Sequence, residues 1–342
     1  MIGRMTAALS LILIAAALPV AASTPAAVPA TPAPAAATAK PPAAADQLHD
    51  ARAVDAGRFG IAHVYVPEGK PRSVAIFVSG DGGWELGVIN MARALRDMGA
   101  VVIGVDINHY FASLRHAAQH AAAHCAMIAT DLESLSHQGQ KQIGLSEYHV
   151  PVLVGYSSGA TLVYAALVQS PPGTFAGALS LGFCAAQDFA GAQLCPGNGL
   201  RYTQNAQHEL VLAPAASLRQ PWVALHGQQD QVCDPHAADE FATQVAGGAV
   251  VKLPLVGHGF SVERNWMPQF RAAYARLAAL PPTVAAPAAE ISDLPLQEVP
   301  AGGAAQEFAL QKSTAERINQ NQKALRKNVS GAPATGGPAP KN

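Results

Sequence analysis

The stretch Val150-Pro-Val-Leu-Val-Gly-Tyr-Ser-Ser-Gly-Ala-Thr-Leu-Val-Tyr-Ala-Ala-Leu167 changes character halfway along its length. Its first part is a β-branched apolar run without polar alternation, the pattern of a strand buried on both faces. From Ala160 onward it has neither glycine nor proline and reads as a helix. Between the two lies Gly155-Tyr156-Ser157-Ser158-Gly159, a G-x-S-x-G. A serine held in a strand-to-helix turn is lifted above the sheet edge, and small flanking residues let that turn close. The adjoining helix N-terminus favours developing negative charge. Ser157 is therefore the candidate nucleophile, and Ser158 a backbone N–H donor rather than a second nucleophile.

Outward from this turn the same alternation repeats. Strands are expected at Ser73–Ser79, Ala100–Asp106, His149–Tyr156, Gly177–Phe183, Trp222–His226 and Ala249–Leu255. Helices are expected at Leu86–Met98, Ala112–Ser136, Ser158–Gln169, Pro235–Val245 and Asn265–Leu280. Strand alternating with helix means a mostly parallel sheet with helices on both faces, and functional residues then belong just past the C-terminal ends of strands.

Two further loops fit that rule. Gly227-Gln-Gln-Asp-Gln-Val-Cys-Asp-Pro235 follows a late strand, and a carboxylate there can orient an imidazole. Asp230 is the first choice. Asp234 is the alternative, although its place before Pro235 also suits a helix cap. Val256-Gly-His-Gly-Phe260 follows the last strand and offers His258 as general base. The chain order Ser157, Asp230, His258 is that of the α/β-hydrolase fold. An oxyanion hole needs two donors. Ser79-Gly-Asp-Gly-Gly-Trp84, after the first strong strand, offers the N–H of Gly80 or Asp81, with Ser158 as the other. Glu85 stands where a G-x-G-x-x-G would require glycine, and no G-K-[ST] phosphate loop is present. His116, His120 and His124 share one helix face. No carboxylate completes an H-E-x-x-H, so a solvated or semi-buried stripe is expected rather than a metal site. Neither metal nor organic cofactor is expected.

The chain has 342 residues, 50% hydrophobic and 13% charged, with formal net charge −1. That balance lacks the basic surplus of a general nucleic-acid binder, and the apolar segments exclude disorder throughout. Residues 1–22 read as a secretory signal peptide, with Arg4 at its start, Ala7–Leu18 apolar and Val20-Ala-Ala22 as cleavage site. An uncleaved membrane anchor is the alternative. Residues 23–57 form an Ala/Pro-rich linker, 58–280 the catalytic domain, and 281–342 a Pro/Ala-rich tail. A helix over 304–328 with a basic end is expected to be solvated, peripheral contact with anionic lipid being the alternative. Export allows one or two disulfides among Cys125, Cys184, Cys195 and Cys233, with three full pairings open and four buried free thiols as the alternative. Cys184 and Cys195 are the nearest pair in sequence.

The chain resembles the bacterial VirJ/AcvB family of exported α/β-hydrolases. The resemblance is carried by Ser79-Gly-Asp-Gly-Gly-Trp84, by Gly104-Val-Asp106 with Tyr110-Phe111, by Gly155-Tyr-Ser-Ser-Gly-Ala160, and by the Asp230 and His258 loops. It spans Arg58–Leu280. The sequence differs from the family pattern at Ser158, where many relatives carry an aromatic residue, and in Gly257-His-Gly-Phe260. The resemblance implies periplasmic hydrolysis of the lysyl or alanyl ester of aminoacyl-phosphatidylglycerol, with the lipid headgroup at the membrane face as partner. An aminoacyl ester carries an ammonium, for which Asp81 and Asp106 are the candidate holders, and Trp84 and Tyr156 complete the expected pocket. A generic carboxylesterase or lipase, or a non-catalytic partner of a secretion or envelope complex, are the alternatives.

Overall fold

The computed structural model describes residues 50–279 apart from 86 and 121–124. The expected signal peptide, most of the linker, the tail and its helix lie outside these residues. Eleven strands are described: β1 Arg52–Asp55, β2 Ile61–Tyr65, β3 Ser73–Val78, β4 Ala100–Val105, β5 Val152–Tyr156, β6 Gly177–Leu181, β7 Ala186–Gln187, β8 Tyr202–Gln204, β9 Leu210–Leu212, β10 Trp222–Gly227 and β11 Gly248–Leu253. The α-helices are α1 Ile89–Asp97, α2 Ile107–His120, α3 Ile128–Gln142, α4 Ser158–Gln169, α5 Pro235–Thr243 and α6 Met267–Ala279. No described helix is long and apolar enough to cross a membrane.

Eight strands form one sheet in the order β1-β2-β4-β3-β5-β6-β10-β11. From β4 to β11 every pairing is parallel, while β1 and β2 join at one edge as an antiparallel pair. Strands β3, β4, β5, β6 and β10 are buried almost along their whole length, which explains their continuous apolar runs. Alternation along β3 divides the core: Val74, Ile76 and Val78 face the layer of α2, α3, α4 and α5, whereas Ala75 and Phe77 face that of α1 and α6. Every residue of α4 is buried, consistent with its lack of an amphipathic face.

The sheet begins earlier than Arg58, because Arg52–Asp55 already pairs with β2. The single helix expected over Ala112–Ser136 is two helices. Between them Ala126 forms a parallel bridge to Leu194, its N–H donating to the Gln193 carbonyl, so the chain is extended where apolar spacing alone allowed a helix to continue. That bridge also sets the disulfides. It places Cys125 beside Cys195, and the pairs are Cys125–Cys195 and Cys184–Cys233, with Cα atoms 4.8 and 5.2 Å apart. The sequence neighbours Cys184 and Cys195 are therefore not paired. A small antiparallel sheet, β7-β9-β8, fills the excursion between β6 and β10; its strands of two or three residues are too short to show periodicity.

Candidate active site

Ser157 sits between β5 and α4 with φ +55°, a conformation a side chain adopts only when the surroundings enforce it. Two glycines do so. A Cβ on Gly155 would overlap the backbone of Gly159, and one on Gly159 would overlap the carbonyls of Val78 and Ser79. The serine hydroxyl lies 2.8 Å from Nε2 of His258, and the other ring nitrogen of His258 is 2.8 Å from Oδ2 of Asp230. Three residues distant in sequence thus form one hydrogen-bonded chain at the C-terminal ends of β5, β10 and β11, each less than a tenth exposed.

The second oxygen of Asp230 accepts the N–H groups of Val232 and Cys233, at 2.8 and 2.9 Å. Burial alone would raise the Asp230 carboxyl. The hydrogen bond and charge of His258, with the two backbone donors, outweigh it and hold the group below the ordinary aspartate value. Asp234 is exposed and instead caps α5, accepting the His236 N–H at 2.9 Å with Pro235 at the first helical position. Cys233 adds a covalent tie from the acid loop to the segment following β6, and Thr161 of α4 donates to the Cys184 carbonyl.

Ser157 and Ser158 line a cleft of about 910 Å³. Its walls come from Asp81 after β3, from Phe111 and Arg115 on α2, from Asp188 and Glu209 beside the small sheet, and from Val232 and Cys233. Ser158 is the first residue of α4, so its N–H has no acceptor within the helix. On the facing loop, a Cβ at Gly80 would come within 2.9 Å of the Ser157 Cβ, so glycine is what admits this close approach.

Three of the expected pocket residues do other work. The Asp106 carboxylate accepts the N–H groups of Trp84 and Asn108, bracing the loop. Trp84 is buried, stacked against His63, and its ring occupies the space a Cβ on Gly104 would need. Tyr156 is buried too, and its hydroxyl donates to the His258 carbonyl at 3.0 Å, holding the histidine loop. None of the three lines the cleft, whereas Asp81 does. Arg115, Asp188 and Glu209 carried no signal in sequence, since only the folding of α2 and the small sheet brings them to one cavity. His116 and His120 stack on an exposed stretch of α2, with ring centroids 4.2 Å apart; His124 lies outside the described residues.

His226, at the end of β10, is fully buried. Burial pushes its imidazole below the ordinary histidine value of 6.5, with Asp230 and the Cys233 carbonyl only partly opposing. The unfolded chain then binds this proton at a pH where the folded protein does not, so stability is lost as pH falls below about 6.5. Asp230 adds a second loss at lower pH, as its carboxylate is protonated through its depressed folded value. Urea-unfolding midpoints measured from pH 7 to 4 should therefore fall, and His226→Gln should flatten the first part of the slope. An unchanged slope in that variant would remove His226 as its source.

Residues 72–235 match the family model described as "Bacterial virulence protein (VirJ)". No curated protein matches the sequence. Similar solved structures include the esterase domain of a Rhodothermus marinus protein, 16% identical over 64% of this chain and 92% of that one, with a TM-score of 0.43. Est1E from Butyrivibrio proteoclasticus is 12% identical over 67% and 99%, with a TM-score of 0.45. An α/β serine hydrolase without a lid from Xanthomonas campestris is 20% identical over 66% and 92%, with a TM-score of 0.42. With its predominantly parallel eight-stranded sheet flanked by helices, the chain has the α/β-hydrolase fold, and across residues 72–235 it is similar to the VirJ family.

Proposed function

We propose that this protein is a periplasmic serine hydrolase that cleaves an ester, and that its substrate is the aminoacyl ester of an aminoacylated phosphatidylglycerol. The observation that carries the reaction type is the unbroken Ser157–His258–Asp230 hydrogen-bonded chain with its serine in a cleft. In this reading Ser157 Oγ attacks the ester carbonyl while His258 takes its proton at Nε2. Nδ1–H of His258 donates to Asp230, which fixes the tautomer and stabilises the imidazolium that forms. The tetrahedral oxyanion is held by the Ser158 N–H and by the N–H of Asp81, whose place in the cleft wall favours it over Gly80. Collapse expels the alcohol with the proton from His258. Water, activated by the same imidazole, then releases the aminoacyl group and restores Ser157.

The cleft supports a substrate bearing both charges. Asp81, Asp188 and Glu209 line it alongside a single arginine, Arg115, which makes no ion pair among the described residues. Carboxylates suit an ammonium, and a guanidinium suits a phosphodiester. Two disulfides among the described residues support an oxidising compartment.

The test is hydrolysis by the purified protein of lysyl- and alanyl-phosphatidylglycerol beside neutral acyl esters of similar length. The aminoacylated lipids should be preferred. Asp81→Asn should lower their kcat/KM by about ten- to a hundredfold, the worth of a hydrogen bond to a charged group, and leave the neutral esters near their original rate. Equal losses on both would remove Asp81 from ammonium recognition. Preference for the neutral esters would leave the chemistry standing and replace the substrate.

A further inference from the structure

Behind the Ser157–His258–Asp230 chain lies a second imidazole that the reaction as written does not use. We propose that His226 is a positioning residue: a neutral imidazole, protonated at Nε2, that pins the acid loop and keeps the Asp230 carboxylate aimed at His258. The proposal rests on the hydrolase reading above and deepens it.

The geometry fixes the tautomer. His226 Nε2 lies 3.0 Å from the Cys233 carbonyl oxygen and 3.6 Å from Oδ2 of Asp230. Both neighbours are acceptors, so a bare lone pair on Nε2 would face a carbonyl and a carboxylate together. The proton therefore belongs on Nε2, where it donates to Cys233 and lies toward Asp230. Nδ1 has no hydrogen-bond partner among the described residues. An imidazolium would thus bury an unpartnered N–H, a costly arrangement in a fully buried ring. The charged and titratable groups acting on the ring are Asp230, His258 and Asp234; the Asp230 carboxylate is the one at 3.6 Å.

Cys233 transmits the effect. Its N–H donates to Oδ1 of Asp230, its carbonyl accepts from His226, and its sulfur is bonded to Cys184. The residue is held on three sides, and of its side-chain partners His226 is the one that also lies beside Oδ2 of the carboxylate. Oδ2 of Asp230, the oxygen that serves His258, is consequently faced by two imidazole N–H groups. Releasing the Cys233 carbonyl would let the loop shift the carboxylate against His258. Misplacement of a supporting group on that scale costs about ten- to a hundredfold in rate.

The experiment measures the rate at which a fluorophosphonate probe labels Ser157, which needs no knowledge of the substrate. His226→Phe, which keeps a ring but no donor, should label about ten- to a hundredfold more slowly. His226→Gln, whose amide can still donate to the Cys233 carbonyl, should recover most of the rate. Unimpaired labelling of His226→Phe, or equal loss in both variants, would overturn the proposal. If the Phe variant fails to fold, the wild-type protein decides: its ¹⁵N imidazole spectrum should show His226 neutral with the proton on Nε2 at pH 7, and a proton on Nδ1 would overturn the assignment. Ser157→Ala is the reference. Labelling that survives it would sink the hydrolase reading and this proposal with it, whereas an unlabelled Ser157→Ala beside an unimpaired His226→Phe would sink the positioning role alone.

Discussion

Ser157→Ala should abolish labelling by a fluorophosphonate probe and lower ester hydrolysis by about 10⁴-fold or more, the scale on which removing a triad nucleophile acts. The fold should survive. Alanine, like serine, can be held at φ +55° by the Gly155 and Gly159 contacts, and the lost hydroxyl leaves only the Nε2 end of His258 without its 2.8 Å partner. Backbone strain of this kind costs on the order of 1–3 kcal/mol and persists where function needs it. A turn serving only to join β5 to α4 would have no use for a non-glycine residue there. The variant also separates the catalytic reading from that of a folded but inactive partner in an envelope or secretion complex. A probe that fails to label the wild-type protein, together with a cellular role unaffected by Ser157→Ala, would favour the partner.

The parts of the fold that sequence made legible are those with a strong local cause. The buried strands β3, β4, β5, β6 and β10 are continuous apolar runs because helices cover both faces, and that burial is what their composition records. The three residues of the hydrogen-bonded chain were legible for a different reason: each follows a recognisable strand, and turns at strand ends need glycines that sequence displays. The edge pair β1 and β2 was not legible, since β1 is mostly exposed and lacks an apolar face to announce it. The break between α2 and α3 depends on Ala126 meeting Leu194, a contact with no local signature. Three of the four expected pocket residues lie away from the cleft for a related reason, while Asp81 lines it. Asp106, Trp84 and Tyr156 have the chemistry of ligand-binding residues and lie near strand ends, yet Trp84 and Tyr156 are packed inward and the Asp106 carboxylate is taken up by the backbone N–H groups of Trp84 and Asn108. Arg115, Asp188 and Glu209, which do line the cleft, sit in segments whose approach is set by tertiary structure alone.

Asp230→Asn is expected to be nearly as damaging as loss of the nucleophile, lowering kcat by about 10⁴-fold while the protein stays folded. The reason lies in the hydrogen bonds the carboxylate already makes. Oδ1 accepts from the backbone N–H groups of Val232 and Cys233. An asparagine must keep its carbonyl oxygen there, because turning the amide nitrogen toward two N–H donors would leave three donors facing one another. Its NH₂ group is then placed where Oδ2 stood, 2.8 Å from Nδ1 of His258 and 3.6 Å from Nε2 of His226. His258 is driven to present a lone pair at Nδ1 and carry its proton on Nε2, so that it donates to Ser157 instead of accepting from it. The serine cannot be deprotonated, and the imidazolium of the reaction loses its counter-charge. Asp234 provides the contrast. Asparagine caps a helix as well as aspartate does, so Asp234→Asn should alter neither kcat nor stability measurably, and Asp234→Ala should cost about 1 kcal/mol of stability without slowing the reaction. Steady-state kinetics on the three variants, with urea unfolding alongside, distinguishes the two carboxylates. Activity that falls with Asp234→Asn and survives Asp230→Asn would reassign the acid and undo the hydrogen-bonded chain on which the proposed mechanism stands.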